Sequence, residues 1–278
     1  HGYALFDQFR KTCPKQYINC GVAEQNMVGV AAGLAKAGFK PVVYGLAAFV
    51  PIRVLEQIKI DICYENLPVI LIGDGAGLVY SHLGTSHQSI EDISSARAIP
   101  NLTILSPADQ YEMTSAMNLA ISGEKPTYLR MGKSDRGIVH SASVDFKNGE
   151  LIQIRSGSGD LAIIATGSMV KTALSIPPAL VQAEIWSAPS IKPLSKNNLE
   201  KIANRVKAIV TIEEHSVTGG LGSIVAEHLS NTPKTPIYKI GVEDRFSHTC
   251  GSWESQISEY ELSAESIAEK IQSFLKLQ

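Results

Sequence analysis

Short apolar runs alternate with amphipathic stretches along most of this chain. The runs at Tyr17–Cys20, Val42–Leu46, Pro68–Asp74, Thr103–Leu105 and Thr127–Arg130 predict strands. Between them, helical spacing of apolar positions predicts helices over Ala23–Ala37, Pro51–Cys63, Ser89–Ala98 and Ala108–Ser122. In the first helix Met27, Val30, Ala31 and Leu34 recur on one face, and Gly38 supplies the stop. Pro107 reads as a first-turn proline with Ser106 as its N-cap. After Arg130 the pattern breaks, and Ser141 to Gly159 reads as an irregular or short β connection ending in Ser156-Gly157-Ser158-Gly159. A second series follows. Its expected strands are Leu161–Thr166, Ala183–Ser187, Ala208–Glu213 and Pro236–Ile240. Its expected helices are Ser168–Gln182, Ser195–Arg205, Leu221–Leu229 and Ala264–Leu275, the first cut short by Pro177-Pro178. Short strands alternating with longer helices imply parallel sheets covered on both faces. The expected architecture is therefore α/β: two tandem three-layer α/β/α domains with mostly parallel sheets, over residues 1–140 and 160–278, joined by a linker at 141–159.

Composition narrows the function classes. The chain has 278 residues, 44% hydrophobic and 19% charged, with a formal net charge of −2. That balance gives no electrostatic case for nucleic acid or for an anionic membrane. No apolar run approaches the ~20 residues of a membrane span. Cys13, Cys20, Cys63 and Cys250 are scattered without CxxC spacing, which argues against a disulfide scaffold or thiolate zinc site and fits a reducing cytoplasm. The chain begins at His1 without a Met, which leaves room for an upstream segment.

Three stretches carry candidate chemistry. Tyr17-Ile18-Asn19-Cys20-Gly21-Val22-Ala23-Glu24 reads as strand, turn and helix start, and sets Glu24 in the first helical turn, where α/β proteins commonly place catalytic groups. A carboxylate there also simply complements the helix dipole. Gly73-Asp74-Gly75 followed by Asn101 imitates the Mg²⁺–diphosphate motif of thiamine diphosphate enzymes, which needs oxygen ligands from Asp and Asn. Here Asn101 sits in a short turn and no second Asn follows, so the glycines are read as a turn at a strand's carboxyl end and no metal ligand is assigned. Gly77 to Gln88 places His82 and His87 in a loop after the third strand, a position that suits either a site or local packing.

Taken together, Gly21-Val22-Ala23-Glu24-Gln25-Asn26, Phe49, Gly84-Thr85-Ser86-His87-Gln88, Ser106-Pro107-Ala108-Asp109 and Tyr128-Leu129-Arg130 resemble the pyrimidine-binding domain of the transketolase family. Leu161 to Ser168 and Glu213 to Gly222 resemble that family's C-terminal domain. The resemblance covers nearly the whole chain, and within the family the best match is the C-terminal subunit of a split transketolase. His1-Gly2-Tyr3 resembles the middle of the pyrimidine-binding domain, whose first α/β unit normally precedes it.

The resemblance implies thiamine diphosphate-dependent transfer of a two-carbon ketol unit between sugar phosphates. It gives Glu24 a contact with N1′ of the aminopyrimidine; sharing a proton there favours the imino tautomer that generates the thiazolium ylide. Phe49 stacks on the same ring and Arg53 borders it. His87 faces the thiazolium and the substrate hydroxyls. Arg130 binds substrate phosphate, although the residue by itself reads equally well as a strand-end salt bridge. The Mg²⁺ and diphosphate site belongs to a domain that is absent here, so the resemblance implies an N-terminal partner subunit, homodimerisation of this chain and an α2β2 assembly.

The sequence also departs from the family pattern. Leu83 replaces a usual Asp, Gly73-Asp74 stands where a His is common, and His82 is unusual at its place. Asp74 and His82 are thereby drawn into the expected substrate side of the site, and the substrate shifts toward a modified or branched sugar. The alternatives are a 2-oxo-acid dehydrogenase β subunit, a deoxyxylulose phosphate synthase-like enzyme and a non-catalytic assembly subunit. The Gly84–Gln88 loop and Arg130 favour transketolase over the dehydrogenase, and the presence of Glu24, Phe49 and His87 argues against a silent subunit.

Overall fold

Two five-stranded sheets, each sandwiched between helices, make up the protein in the computed structural model. It describes residues 6–133, 137–157, 159–231 and 235–277; His1-Gly2-Tyr3 and Ser158 of the linker lie outside them. The first sheet contains β1 (Val42–Leu46), β2 (Ile70–Asp74), β3 (Thr103–Leu105) and β4 (Thr127–Met131), all parallel. The second contains β5 (Ile152–Arg155), β6 (Leu161–Ala165), β7 (Glu184–Ser187), β9 (Ala208–Ser216) and β10 (Ile237–Val242), in the order β10-β9-β6-β7-β5. Only β5, from the connection, runs antiparallel in it. The remaining strand, β8 (Ser190–Lys192), follows β7 in the chain but pairs antiparallel with β3, so the first sheet reads β1-β2-β4-β3-β8.

The strands alternate between two cores, as a period of two requires. Ala162 and Ile164 of β6 join a core that also holds Val28, Val43, Ile58, Leu71 and Ile104 of the first half. Leu161, Ile163 and Ala165 face a second core with Ile185, Val210, Ile212, Ile240 and Tyr260. Apolar packing is thus continuous between the halves.

Several elements differ from expectation. Tyr17–Cys20 forms no strand: Ile18 is 58% exposed, and the Asn19 side chain accepts from the Gly21 N–H at 2.9 Å, a local turn that competes with a ladder. The first long helix, α2 (Glu24–Lys36; α1 is Asp7–Thr12), buries Val28, Ala31, Ala32 and Ala35, while Val30 is 37% exposed. Its small residues allow close approach to the sheet, which rotates the expected apolar face. It ends as expected at Gly38, with φ 91°, where Gly38 N–H donates to Ala35 and Phe39 N–H to Leu34. The Pro51–Cys63 helix is composite: a 3₁₀ turn Ile52–Val54, α3 (Leu55–Gln57) and a π turn Ile58–Cys63. α4 is only Asp92–Ala96. α5 (Gln110–Ser122) is capped by Asp109, whose carboxylate accepts from the Tyr111 and Glu112 N–H groups, rather than by Ser106. α6 (Met169–Ser175) stops ahead of Pro177-Pro178. α7 (Lys196–Ala203) and α8 (Leu221–His228) follow, then α9 (Trp253–Glu259), which had no counterpart in the expected elements, and α10 (Ala264–Lys276).

Candidate active site

Glu24 is the first residue of α2, and its side chain is only 13% exposed. Arg53, on the 3₁₀ turn after β1, donates from Nη1 to Glu24 Oε2 at 3.1 Å. The same guanidinium stands 4.1 Å from the centroid of Phe49. Phe49 in turn meets the His87 ring edge-to-face, with centroids 5.4 Å apart at 69°. Ser86 Oγ lies 3.0 Å from His87 Nδ1 and orients that ring. Four of the sequence-selected residues therefore form one contiguous chain, Glu24–Arg53–Phe49–His87. They meet because the segments after β1 and β2 both emerge at the carboxyl end of the first sheet, where open α/β folds bind ligands.

Asp74, at the carboxyl end of β2, is buried and accepts from two phenols, Tyr44 at 2.6 Å and Tyr80 at 3.0 Å. The Tyr80 ring also meets that of exposed His82, with centroids 6.1 Å apart. Tyr44 and Tyr80 were not singled out in the sequence; a carboxylate inside an apolar strand was the signal that partners had to exist. Asn101 donates to the Cys63 carbonyl at 3.0 Å with φ 66°, a turn role.

The loop that carries both histidines is fastened to the C-terminal half. Gln88 is buried, and its Nε2 donates to Ser81 at 3.2 Å and Ser247 at 2.9 Å. Gly251 N–H donates to the Ser81 carbonyl at 3.3 Å. At Gly84, φ is 78°, a conformation that favours glycine, and a Cβ would lie 2.8 Å from Cys250 Sγ, so that thiol would have to turn aside for any other residue.

Arg130 lies in a different constellation from the one expected. It is 5% exposed, and its Nε donates to both Asp92 oxygens, at 2.8 and 3.1 Å. Nη2 donates to the Glu214 and Ser89 carbonyls. Tyr128 adds a hydrogen bond to Asp92 at 2.7 Å. Burial is the largest influence and opposes the Arg130 charge, but Asp92, Tyr128 and Glu214 together outweigh it and the guanidinium pKa is raised. A fork turned onto a buried carboxylate is not offered to an incoming phosphate. The strand-end salt bridge is thus the reading the geometry favours, and the phosphate role is not carried forward.

Asp92 borders a buried polar seam between the halves. His215 Nε2 accepts from the Ser94 N–H at 3.2 Å, and Nδ1 donates to the Ser216 carbonyl at 2.7 Å, which fixes a neutral tautomer. Burial lowers its pKa to about 4. Beside it, Glu213 accepts from the Leu221 and Gly222 N–H groups at the start of α8, yet burial raises its pKa to about 7. Glu214 accepts from Leu78 N–H at 2.6 Å, from Trp253 Nε1 at 2.9 Å and from Ser168 Oγ. No helix among the described residues is long and apolar enough to cross a membrane.

The two halves match known proteins. Residues 2–137 match the model "Transketolase, pyrimidine binding domain", and residues 149–267 match "Transketolase, C-terminal domain". An apulose-4-phosphate transketolase subunit of Phocaeicola vulgatus is 34% identical, over 99% of this chain and 89% of that protein. 1-Deoxy-D-xylulose-5-phosphate synthase of Chlorobium luteolum is 37% identical over 97% of this chain, which spans only 43% of that enzyme. A solved structure described as a split gene transketolase, inactive β4 tetramer, superposes with a TM-score of 0.86 at 36% identity, covering 97% of this chain and 87% of its own. The chain belongs to the transketolase family, of which it carries the pyrimidine-binding and C-terminal domains.

Proposed function

We propose that this chain is the C-terminal subunit of a split transketolase, moving a two-carbon ketol unit between sugar phosphates with thiamine diphosphate. The Glu24–Arg53–Phe49–His87 grouping carries the reading. A half-buried phenyl face beside a sheltered carboxylate at a helix N-terminus fits an aminopyrimidine ring: one group takes its π surface, the other its nitrogen edge. When bound, thiamine diphosphate supplies the carbanion centre that breaks and remakes the ketose C–C bond. The work of this chain is to hold and steer it. Glu24 holds a proton at N1′, Phe49 supports the ring, and His87, oriented by Ser86, addresses the substrate hydroxyls. Asp74, at the end of β2, and His82, in the loop that follows, are assigned to the substrate side of the site, with Tyr80 touching both.

The Gly73-Asp74-Gly75 and Asn101 motif does not fit Mg²⁺: the Asp74 carboxylate accepts from two phenols, and Asn101 donates to the Cys63 carbonyl. The diphosphate and its Mg²⁺ are therefore assigned to an N-terminal partner subunit, in an α2β2 complex with sites at the interfaces. In this scheme residues 1–140 face the cofactor and 160–278 back the His87 loop. The relative named for apulose 4-phosphate supports a sugar phosphate substrate.

The experiment is reconstitution. The purified chain is assayed for ketol transfer at saturating thiamine diphosphate and Mg²⁺, with and without an N-terminal transketolase subunit from the same source. Activity in the mixture alone is the expected result; equal turnover by the isolated chain overturns the split reading. The 37% identity to deoxyxylulose phosphate synthase favours a second chemistry. Release of CO₂ from a 2-oxo acid by the reconstituted enzyme would select it.

A further inference from the structure

Arg53 meets the two groups that the proposed site offers an aminopyrimidine. Its guanidinium carbon is 4.1 Å from the Phe49 centroid, a stacking distance, and its Nη1 is 3.1 Å from Glu24 Oε2. A guanidinium is flat, delocalised and edged with N–H donors. An aminopyrimidine likewise presents a flat π face and a nitrogen edge. The Arg53 head and the ring thus compete for one carboxylate oxygen and one phenyl face.

The surroundings allow the arginine to leave. Its side chain is 48% exposed, whereas that of Glu24 is 13% exposed, so the cation reaches in from solvent toward a sheltered acid. Its backbone is fixed: Arg53 N–H donates to the Phe49 carbonyl at 3.0 Å, and Val50 and Val54 on either side are fully buried. Exchange therefore needs rotation of one long side chain and no movement of the turn. The guanidinium is half-exposed in both contacts, and an ion pair or cation–π contact with one solvated partner is weak, so release is easy.

We infer, on the basis of the proposed cofactor role, that Arg53 is a built-in stand-in for the aminopyrimidine: its guanidinium covers Phe49 and pairs with Glu24 while the ring is away, and gives up both when the ring binds. It keeps the carboxylate and the phenyl in binding geometry and lowers the apparent affinity for the ring by the fraction of time it occupies the place.

The test uses the full chain, ¹⁵N-labelled, and the probe 4-amino-5-hydroxymethyl-2-methylpyrimidine, followed by NMR titration. Arg53→Ala binds the probe about three- to tenfold more tightly than wild type. Arg53→Gln, which retains most of the packed stem, shifts affinity in the same direction. In the wild-type chain the Arg53 Nε–H resonance loses its ring-current shift as the probe saturates. Equal or weaker binding by both variants, or an unchanged Arg53 resonance at saturation, overturns the stand-in while leaving the pyrimidine site intact. Absence of binding by wild type and variants alike, both in the full chain and in its complex with the N-terminal subunit, overturns the pyrimidine site, and the stand-in with it.

Discussion

Gln88 and Ser247 hold each other reciprocally: Gln88 Nε2 donates to Ser247 Oγ at 2.9 Å, and Ser247 Oγ donates back to Gln88 Oε1 at 3.1 Å. The pair joins the residue next to His87 to the segment before α9, so the C-terminal half sets the position of a histidine in the first half. Ser247→Ala leaves Gln88 with Ser81 and Gln256 but frees one side of the clamp. The loss is about 1 kcal/mol of local stability. Faster hydrogen exchange over residues 81–88 and a several-fold lower kcat are expected in the reconstituted enzyme. Wild-type exchange in that loop would show that the clamp is dispensable.

Glu24→Gln keeps the shape of the side chain and removes its charge. Turnover falls by about 10²–10⁴-fold, the usual loss for a proton-sharing contact. Proton exchange at thiamine C2 falls with it, while the circular dichroism spectrum and melting temperature stay near wild type. A variant that exchanges the C2 proton at the wild-type rate would remove Glu24 from the chemistry.

Asp92→Ala strands Arg130 and takes the acceptor from Tyr128. Breaking a buried pair from one side costs about 3–5 kcal/mol. Urea denaturation measures this directly. Replacing both partners, Asp92→Leu with Arg130→Met, recovers most of the loss because no charge is left buried alone. A loss below about 1 kcal/mol in the single variant would mean that Arg130 finds another counter-charge.

Glu213 and His215 give opposite pH responses. The Glu213 pKa is raised from 4.5 to about 7, so its contribution to stability is full below 4.5 and is lost as pH rises through about 7. The His215 pKa is lowered from 6.5 to about 4, so its contribution is full above 6.5 and is lost as pH falls through about 4. Between pH 4.5 and 6.5 the two slopes offset each other. His215→Gln unmasks the Glu213 slope: stability then falls with rising pH across that window, by up to about 3 kcal/mol. Denaturant midpoints across the window check this, and a variant with a flat profile would contradict it.

Strands β1 to β4 of the first sheet were legible because runs such as Val42–Leu46 and Thr127–Arg130 are largely apolar, with clear turn signals around them. Ser190–Lys192 was not legible: it is three residues long, and its partner strand β3 lies far back in the chain. Non-local pairing of that kind leaves no periodic trace. Tyr17–Cys20 had the composition of a strand, but among the described residues it pairs with no strand and Ile18 stays exposed. Glu24, Phe49 and His87 could be picked from their positions after strands and from family likeness. That Arg53 bridges Glu24 and Phe49 could not, because a side chain's direction on a 3₁₀ turn is set by packing. Arg130 was legible as a charge within an apolar strand, but only the structure shows which carboxylate answers it.

The placement of β8 bears on how such a chain can be rearranged in evolution. The first sheet finishes on a strand that comes after β7 of the second, so severing the chain in the 141–159 connection would leave β3 as a raw edge and the other fragment with a homeless strand. The long deoxyxylulose phosphate synthase matched along 97% of this chain carries both halves within one polypeptide.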